Sequence, residues 1–246
     1  MLFVRFFYCL AGFSVLSACN SEEIRPSKYQ GNMVLALSWQ TAFCETRPRL
    51  PECRSQTKGR FDADHFSLHG LWPQPGSNIY CDVSQQVINT DKQRRWRKLQ
   101  GLGLSESLKK RLWKIMPGAR SFLHRHEWVK HGTCYSNDPE SYFEDSLFVT
   151  EAINQSPVRD LFAQNIDRKI NAVQIRAAFD KAFGKGAGDR VRVSCKRDGG
   201  RVLITEITIG LSGLITPEAN VGDLIRQSPT TKRGCIAGIV DRAGFQ

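Results

Sequence analysis

Cysteine placement constrains this 246-residue chain more tightly than any other feature of it. Eight cysteines occur, at positions 9, 19, 44, 53, 81, 134, 195 and 235. Cys9 lies in an apolar run, Phe6 to Leu16, that follows Arg5, the sole charge among the first nineteen residues. The run is too short to cross a bilayer comfortably and small residues follow it, so it reads as an export signal and not as part of the fold. An exported chain meets an oxidising environment in which thiols pair. The sequence holds no CxxC pair, which argues against a structural zinc site.

Leu16-Ser17-Ala18-Cys19 resembles the lipobox of bacterial lipoproteins, in which the cysteine is diacylated and becomes the first mature residue. The resemblance implies a signal peptide over residues 1–18 and a lipid on Cys19. A polar tether then runs to residue 30. Ordinary cleavage near the same place, with no lipid, is the alternative. Asn20 after the cysteine, in place of Asp, resembles lipoproteins sent to the outer membrane, so a periplasm-facing anchor is expected. With Cys9 lost and Cys19 lipidated, Cys44, Cys53, Cys81, Cys134, Cys195 and Cys235 remain, an even set that predicts three disulfides. Spacing alone does not choose among the pairings, although the proline-bearing loop 47–58 suits a clip between Cys44 and Cys53.

Residues 31–246 read as one α+β domain, an antiparallel sheet flanked by several helices. Met33 to Phe43 reads as a buried strand running into Cys44. A second begins at Phe66 and is expected to end close to His69, because Gly70 and Pro73 follow. Apolar residues recur at helical intervals from Asp91 to Pro117, broken around Gly101-Leu102-Gly103. Helices are expected from Asp138-Pro139 to about Asn154, from Ser156-Pro157, and from Asn171 to Phe183. Val191–Ser194 and Val202–Ile209 flank Asp198-Gly199-Gly200 as a hairpin, and Gly234–Val240 is a last strand. Lys and Arg number 35 against 24 acids, giving +11. That balance favours a polyanionic partner without choosing among nucleic acid, anionic lipid and acidic glycan.

The stretch His126-Glu127-Trp128-Val129-Lys130-His131-Gly132-Thr133-Cys134 is the densest in reactive side chains. On a helix, with His126 at zero, Lys130 falls at about 40°, Glu127 at about 100° and His131 at about 140°. Trp128 and Val129 fall on the opposite side, as an apolar mounting for a polar face. Gly132 is expected to end the helix at positive φ. Zinc-binding His-Glu-x-x-His places its histidines four apart, whereas these are five apart with Lys130 between them, so a metal site is not expected. General acid–base work fits better, since imidazole is populated in both forms near neutrality. A fixed ammonium such as Lys130 would stabilise charge building on phosphate oxygens, and Glu127 could orient His131. His65 and His124 read as structural histidines.

Taken with His69-Gly70-Leu71-Trp72-Pro73, this stretch resembles the two active-site segments of the T2-type ribonucleases. That family comprises secreted or periplasmic endoribonucleases that need no metal or other cofactor. The resemblance implies single-stranded RNA as substrate, with His69 the proton donor to the leaving 5′-oxygen and His131 the base. Glu127 and Lys130 would stabilise the transition state, His126 would bind phosphate, and Trp72 and Tyr80 would stack on a base. It also implies pairing Cys81 with Cys134 and Cys195 with Cys235, which leaves Cys44 for Cys53. Gln74 stands where several members carry an acidic base-contacting residue, so base preference does not carry over. A monomer with no obligate protein partner is expected. The rival reading is an inactive envelope lipoprotein that binds RNA or another polyanion.

Overall fold

The computed structural model describes residues 28–245. The expected export signal, Cys19 and all but the last residues of the expected tether lie outside them. Strand β1 (Asn32–Ser38) sits between two antiparallel neighbours, β2 (Ser67–Pro73) and β5 (Arg201–Ser212). It stops short of Cys44 because Trp39 turns inward. The Trp39 indole is fully buried against Phe66 and Phe162 and donates to the Asp241 carbonyl at 2.8 Å. The Thr41 hydroxyl donates to the same carbonyl at 2.7 Å, and the chain continues as α1 (Gln40–Glu45), which carries Cys44. The following loop holds a single helical turn, α2 (Pro51–Arg54), with Pro51 in its first turn.

Strand β2 runs on past His69 to Pro73, contrary to the expected stop. It is the edge of the sheet, where a proline's missing N–H costs no ladder bond. Its register with β1 steps from Ala36↔Gly70 to Leu37↔Leu68, so His69 is an extra residue opposite no partner. That bulge explains why Leu68 and Leu71, three apart, are both buried, which strict alternation forbids. It also leaves His69 half-buried next to Gly70 and Trp72 rather than in the core.

The stretch expected to be most helical divides into three: α3 (Gln85–Lys92), a 3-10 turn at Trp96–Lys98, and α4 (Glu106–Ile115). Arg94, in the left-handed region at φ 56°, separates the first two. Helix α5 (Leu123–Lys130) begins before His126 and ends before His131, which caps it at φ −120°. Gly132 does not take positive φ; it opens a 3-10 turn through Cys134. Its need is space, since a Cβ there would lie 2.4 Å from Cε3 of Trp128.

Helix α6 (Pro139–Asn154) starts as expected, with the Asp138 carboxylate accepting from the Glu140 and Ser141 amides at 3.1 and 3.0 Å. Its buried Tyr142 donates to the Leu71 carbonyl at 3.0 Å and accepts from the Leu71 amide at 3.2 Å, riveting the helix to β2 beside Gly70. Then follow α7 (Pro157–Ala163), β3 (Lys169–Asn171), α8 (Ala172–Phe183), β4 (Val191–Asp198) hairpinned to β5, α9 (Val221–Gln227) and β6 (Ala237–Ile239). Among the described residues the six strands form one sheet, α+β overall. All pairs are antiparallel except β5 with β6, joined in parallel at Leu203 and Ile239. The long connection through α9 makes that reversal possible. No helix among the described residues is long and apolar enough to cross a membrane.

Three disulfides join Cys44 to Cys53, Cys81 to Cys134 and Cys195 to Cys235. The second closes a separation of 53 residues, against 9 for the first. Next to it the Tyr80 amide donates to the Lys130 carbonyl at 2.9 Å, so bond and bridge together hold the segment after β2 against the end of α5. On the loop-entropy account, replacing Cys81 and Cys134 together by Ser should cost about 1.5 kcal/mol more than replacing Cys44 and Cys53 together. Urea unfolding of the two double variants checks this, and equal losses would show that closure entropy is not what the longer bridge supplies.

Candidate active site

A buried carboxylate forms the centre of the site. Glu127 is 1% exposed, and a charge so placed persists only with close partners. Its Oε2 accepts from the Trp72 indole N–H at 2.9 Å, while its Oε1 lies 3.6 Å from His69 Nε2 and 3.8 Å from His126 Nε2. Helix α5 can approach β2 this closely because residue 70 has no side chain: a Cβ on Gly70 would fall 2.0 Å from Glu127 Oε2. The carboxylate therefore lies against His69 and His126, and not against His131 as its four-residue spacing suggested. His131 has already left the helix, so the i,i+4 relation no longer sets the two side by side.

Each imidazole is held differently. His69 Nδ1–H donates to Glu206 Oε2 at 2.7 Å, a partner on β5, two strands away. Burial alone would lower the pKa of His69. The Glu206 hydrogen bond and the charges of Glu127 and Glu206 outweigh burial and the opposing Lys130, so the value is raised above 6.5. His126 Nδ1–H donates to the buried Asp91 carboxylate at 2.8 Å, and its ring stacks on Trp96 with centroids 4.6 Å apart. That leaves its Nε2 turned to the Glu127 side. His131 is 8% exposed and its buried Nδ1 has no hydrogen-bond partner. Burial, then the charges of Lys130, His126 and His69, lower its pKa to about 3.

Trp72 stands between these groups. Its ring meets His69 edge-on at 5.3 Å and lies tilted against His131 at 5.5 Å. With Pro73, Gln74, Gly76, Lys130 and His131 it lines an open pocket of about 180 Å³. Its N–H is committed to Glu127, so Trp72 offers the pocket only its ring. Tyr80 is not among those lining residues: its hydroxyl donates to Asp91 Oδ2 at 2.8 Å, and the Lys92 ammonium lies 6.0 Å from its ring centre. Burial and that hydrogen bond push the phenol's pKa up.

The structure thus brings His69, Trp72, His126, Glu127, Lys130 and His131 to one corner and sets Tyr80 behind it. Three contributors escaped the sequence reading. Asp91 and Trp96 fall in a stretch dominated by helical periodicity, and Glu206 is one polar position of an alternating strand. No local pattern marks any of them. His124 is buried against Trp113, where burial followed by Arg125 lowers its pKa to about 4, and His65 bonds to Asp64 at 2.6 Å. Neither lines the pocket beside Trp72. Among the described residues no group of three or more His, Cys, Asp or Glu side chains is arranged to hold a metal ion.

The family model described as the ribonuclease T2 family matches residues 30–226. Ribonuclease I of Escherichia coli K12 is 31% identical over 253 aligned positions, covering 93% of each chain. Ribonuclease 1 of Arabidopsis thaliana is 28% identical, over 76% of this chain and 75% of its own. Among solved structures, ribonuclease MC1 from bitter gourd seeds shares the fold, with a TM-score of 0.55 at 17% identity over 85% of this chain and 99% of that one. The chain belongs to the ribonuclease T2 family.

Proposed function

We propose that this protein is an endoribonuclease that cleaves single-stranded RNA by transphosphorylation, with His69 as the acid and His131 as the base. The observation that carries the assignment is the contrast between two imidazoles flanking one tryptophan. His69 is bonded to a carboxylate and holds its proton, whereas His131 is buried beside a cation and gives its proton up. Environments that push two titratable groups apart in this way assign the acid and the base.

His131 removes the proton from a 2′-hydroxyl held at the pocket it lines with Trp72 and Lys130. The 2′-oxygen attacks phosphorus, and His69 protonates the departing 5′-oxygen. The product is a 2′,3′-cyclic phosphate, which water then opens to a 3′-phosphate with the two roles exchanged. Lys130 and the Nε2 edge of His126 meet the charge that develops on the non-bridging oxygens. Glu127 acts through others: it fixes Trp72 and faces the Nε2 edges of His69 and His126. Glu206 fixes the tautomer of His69 from behind. Trp72 supplies a ring against which a base stacks with little regard to sequence. Tyr80, set back on Asp91, supports His126 from the same carboxylate. The lipobox reading puts this enzyme on the periplasmic side of the outer membrane, held by a lipid on Cys19. Its support is the sequence of the first twenty residues.

His69→Ala and His131→Ala should each lower the cleavage rate in EDTA by about 10²–10⁴-fold, the range for one proton-transfer group. Activity that survives either change would remove that residue from its role, and loss of wild-type activity on chelation would revive a metal mechanism. In the pH profile, the rate should rise as His131 loses its proton, well below the usual histidine value, and fall as His69 loses its own, above 6.5. Glu206→Gln removes a negative charge from His69 and should move the alkaline limb to lower pH. An unmoved limb would show that Glu206 does not set the acid. For the anchor, Cys19→Ser should abolish lipid processing and release the protein from the membrane fraction; unchanged fractionation would reject lipidation.

A further inference from the structure

A second cavity, of about 250 Å³, adjoins the active-site pocket, and Gln74 lines both. It lies across β1 and β5: Val34 is the register partner of Trp72 on one side and of Gly210 on the other, and Thr208 is two residues along the same strand. The outer wall is the segment Ser228 to Thr231, after α9. None of the groups assigned to the reaction lines it.

Its chemistry is that of a place for a nucleotide. Arg190 reaches the cavity with its guanidinium pinned, since Nε donates to the Ser228 carbonyl at 3.0 Å and Nη1 to the Gly186 carbonyl at 2.8 Å. Among the described residues no hydrogen bond engages its Nη2. Asn32 and Thr208 are further polar lining residues, while Val34 and Pro229 supply apolar surface; the Met33 side chain is buried in the core on the other face of β1. Arg192, the cross-strand partner of Thr208, and Lys232 and Arg233, which follow Thr231, are exposed beside it. The nearest carboxylate along the chain from Arg190, Asp189, lies 3.6 Å from Arg176. The rim is therefore basic, as a polyanion requires.

We infer that this cavity is an RNA subsite that holds the nucleotide on the 5′ side of the one bearing the attacking 2′-hydroxyl. The direction follows from the roles of the two histidines, so the inference rests on the proposed ribonuclease reading. His131, which lines the first pocket, marks the side of the attacking ribose, and His69 marks the side of the leaving nucleotide. The cavity continues from the His131 pocket through Gln74, and so extends the strand away from the leaving group. Its pinned guanidinium meets the next phosphate, and its apolar floor takes the sugar or base.

The test compares ApA with the trinucleotide dApApA, whose first sugar lacks the 2′-hydroxyl, so that each substrate has one cleavable bond. The wild type should cleave the trinucleotide with kcat/KM about tenfold higher, the scale of one further held nucleotide. Thr230→Glu and Asn32→Asp, two exposed positions at the rim, should bring that ratio down towards one while cleavage of ApA is kept. A wild-type ratio of one, or a ratio that neither variant changes, would overturn the subsite and leave the ribonuclease reading standing. Failure of the wild type to cleave ApA would overturn that reading, and the subsite with it.

Discussion

The buried charge of Glu127 is the constraint from which the rest of this structure follows. A carboxylate 1% exposed to solvent must be neutralised or hydrogen-bonded by what surrounds it. Here the indole of Trp72 and the Nε2 edges of His69 and His126 surround it. Those partners come from two elements far apart in the chain, β2 and α5, so satisfying one carboxylate fixes the distance between them. Gly70 permits that distance, Tyr142 rivets β2 from the other side, and the Cys81–Cys134 bond ties off the end of the helix.

The same carboxylate divides the three histidines. Two of them face it, and each also has a carboxylate behind its Nδ1: Glu206 for His69 and Asp91 for His126. The third faces neither. His131 lies beyond the end of α5, in burial and beside Lys130, which lower its proton affinity while that of His69 is raised. Identical side chains thus acquire opposite proton affinities from position alone. No metal is needed to create that difference. It arises from the carboxylates that reach His69 and from the burial and neighbouring cations that act on His131.

Local pattern carried much of this into the sequence. The caps of α6, α7 and α8 are written in Asp138-Pro139, Ser156-Pro157 and Asn171, and the hairpin in Gly199-Gly200. The rare residues around His69 and His126 identified the family and most of the corner they build. What stayed hidden were contacts made across the fold. Glu206 is 137 positions from His69, and nothing in its strand distinguishes it from any other polar residue on an alternating face. Asp91 is hidden by the helical periodicity of its neighbours, and the inward Trp39 indole bonds to the carbonyl of Asp241, 202 positions away. Helical spacing also overreached at His131, since a wheel places residues correctly only as far as the helix extends.

The bulge in β2 has a consequence for what changes the chain can accept. His69 faces outward because one unpaired residue interrupts the ladder between Leu68 and Gly70. Remove a single residue there and regular alternation returns with Leu68 and Leu71 still in the core. Either the imidazole itself is then lost or its spacing from Trp72 shortens by one residue, about 3.3 Å along the strand. Leucine for leucine, the core would still fill, and the fold could survive with its chemistry gone. Substitution is therefore the milder threat at this edge, and counting is the stricter one: between Phe66 and Trp72 the number of residues is as much a part of the active site as their names.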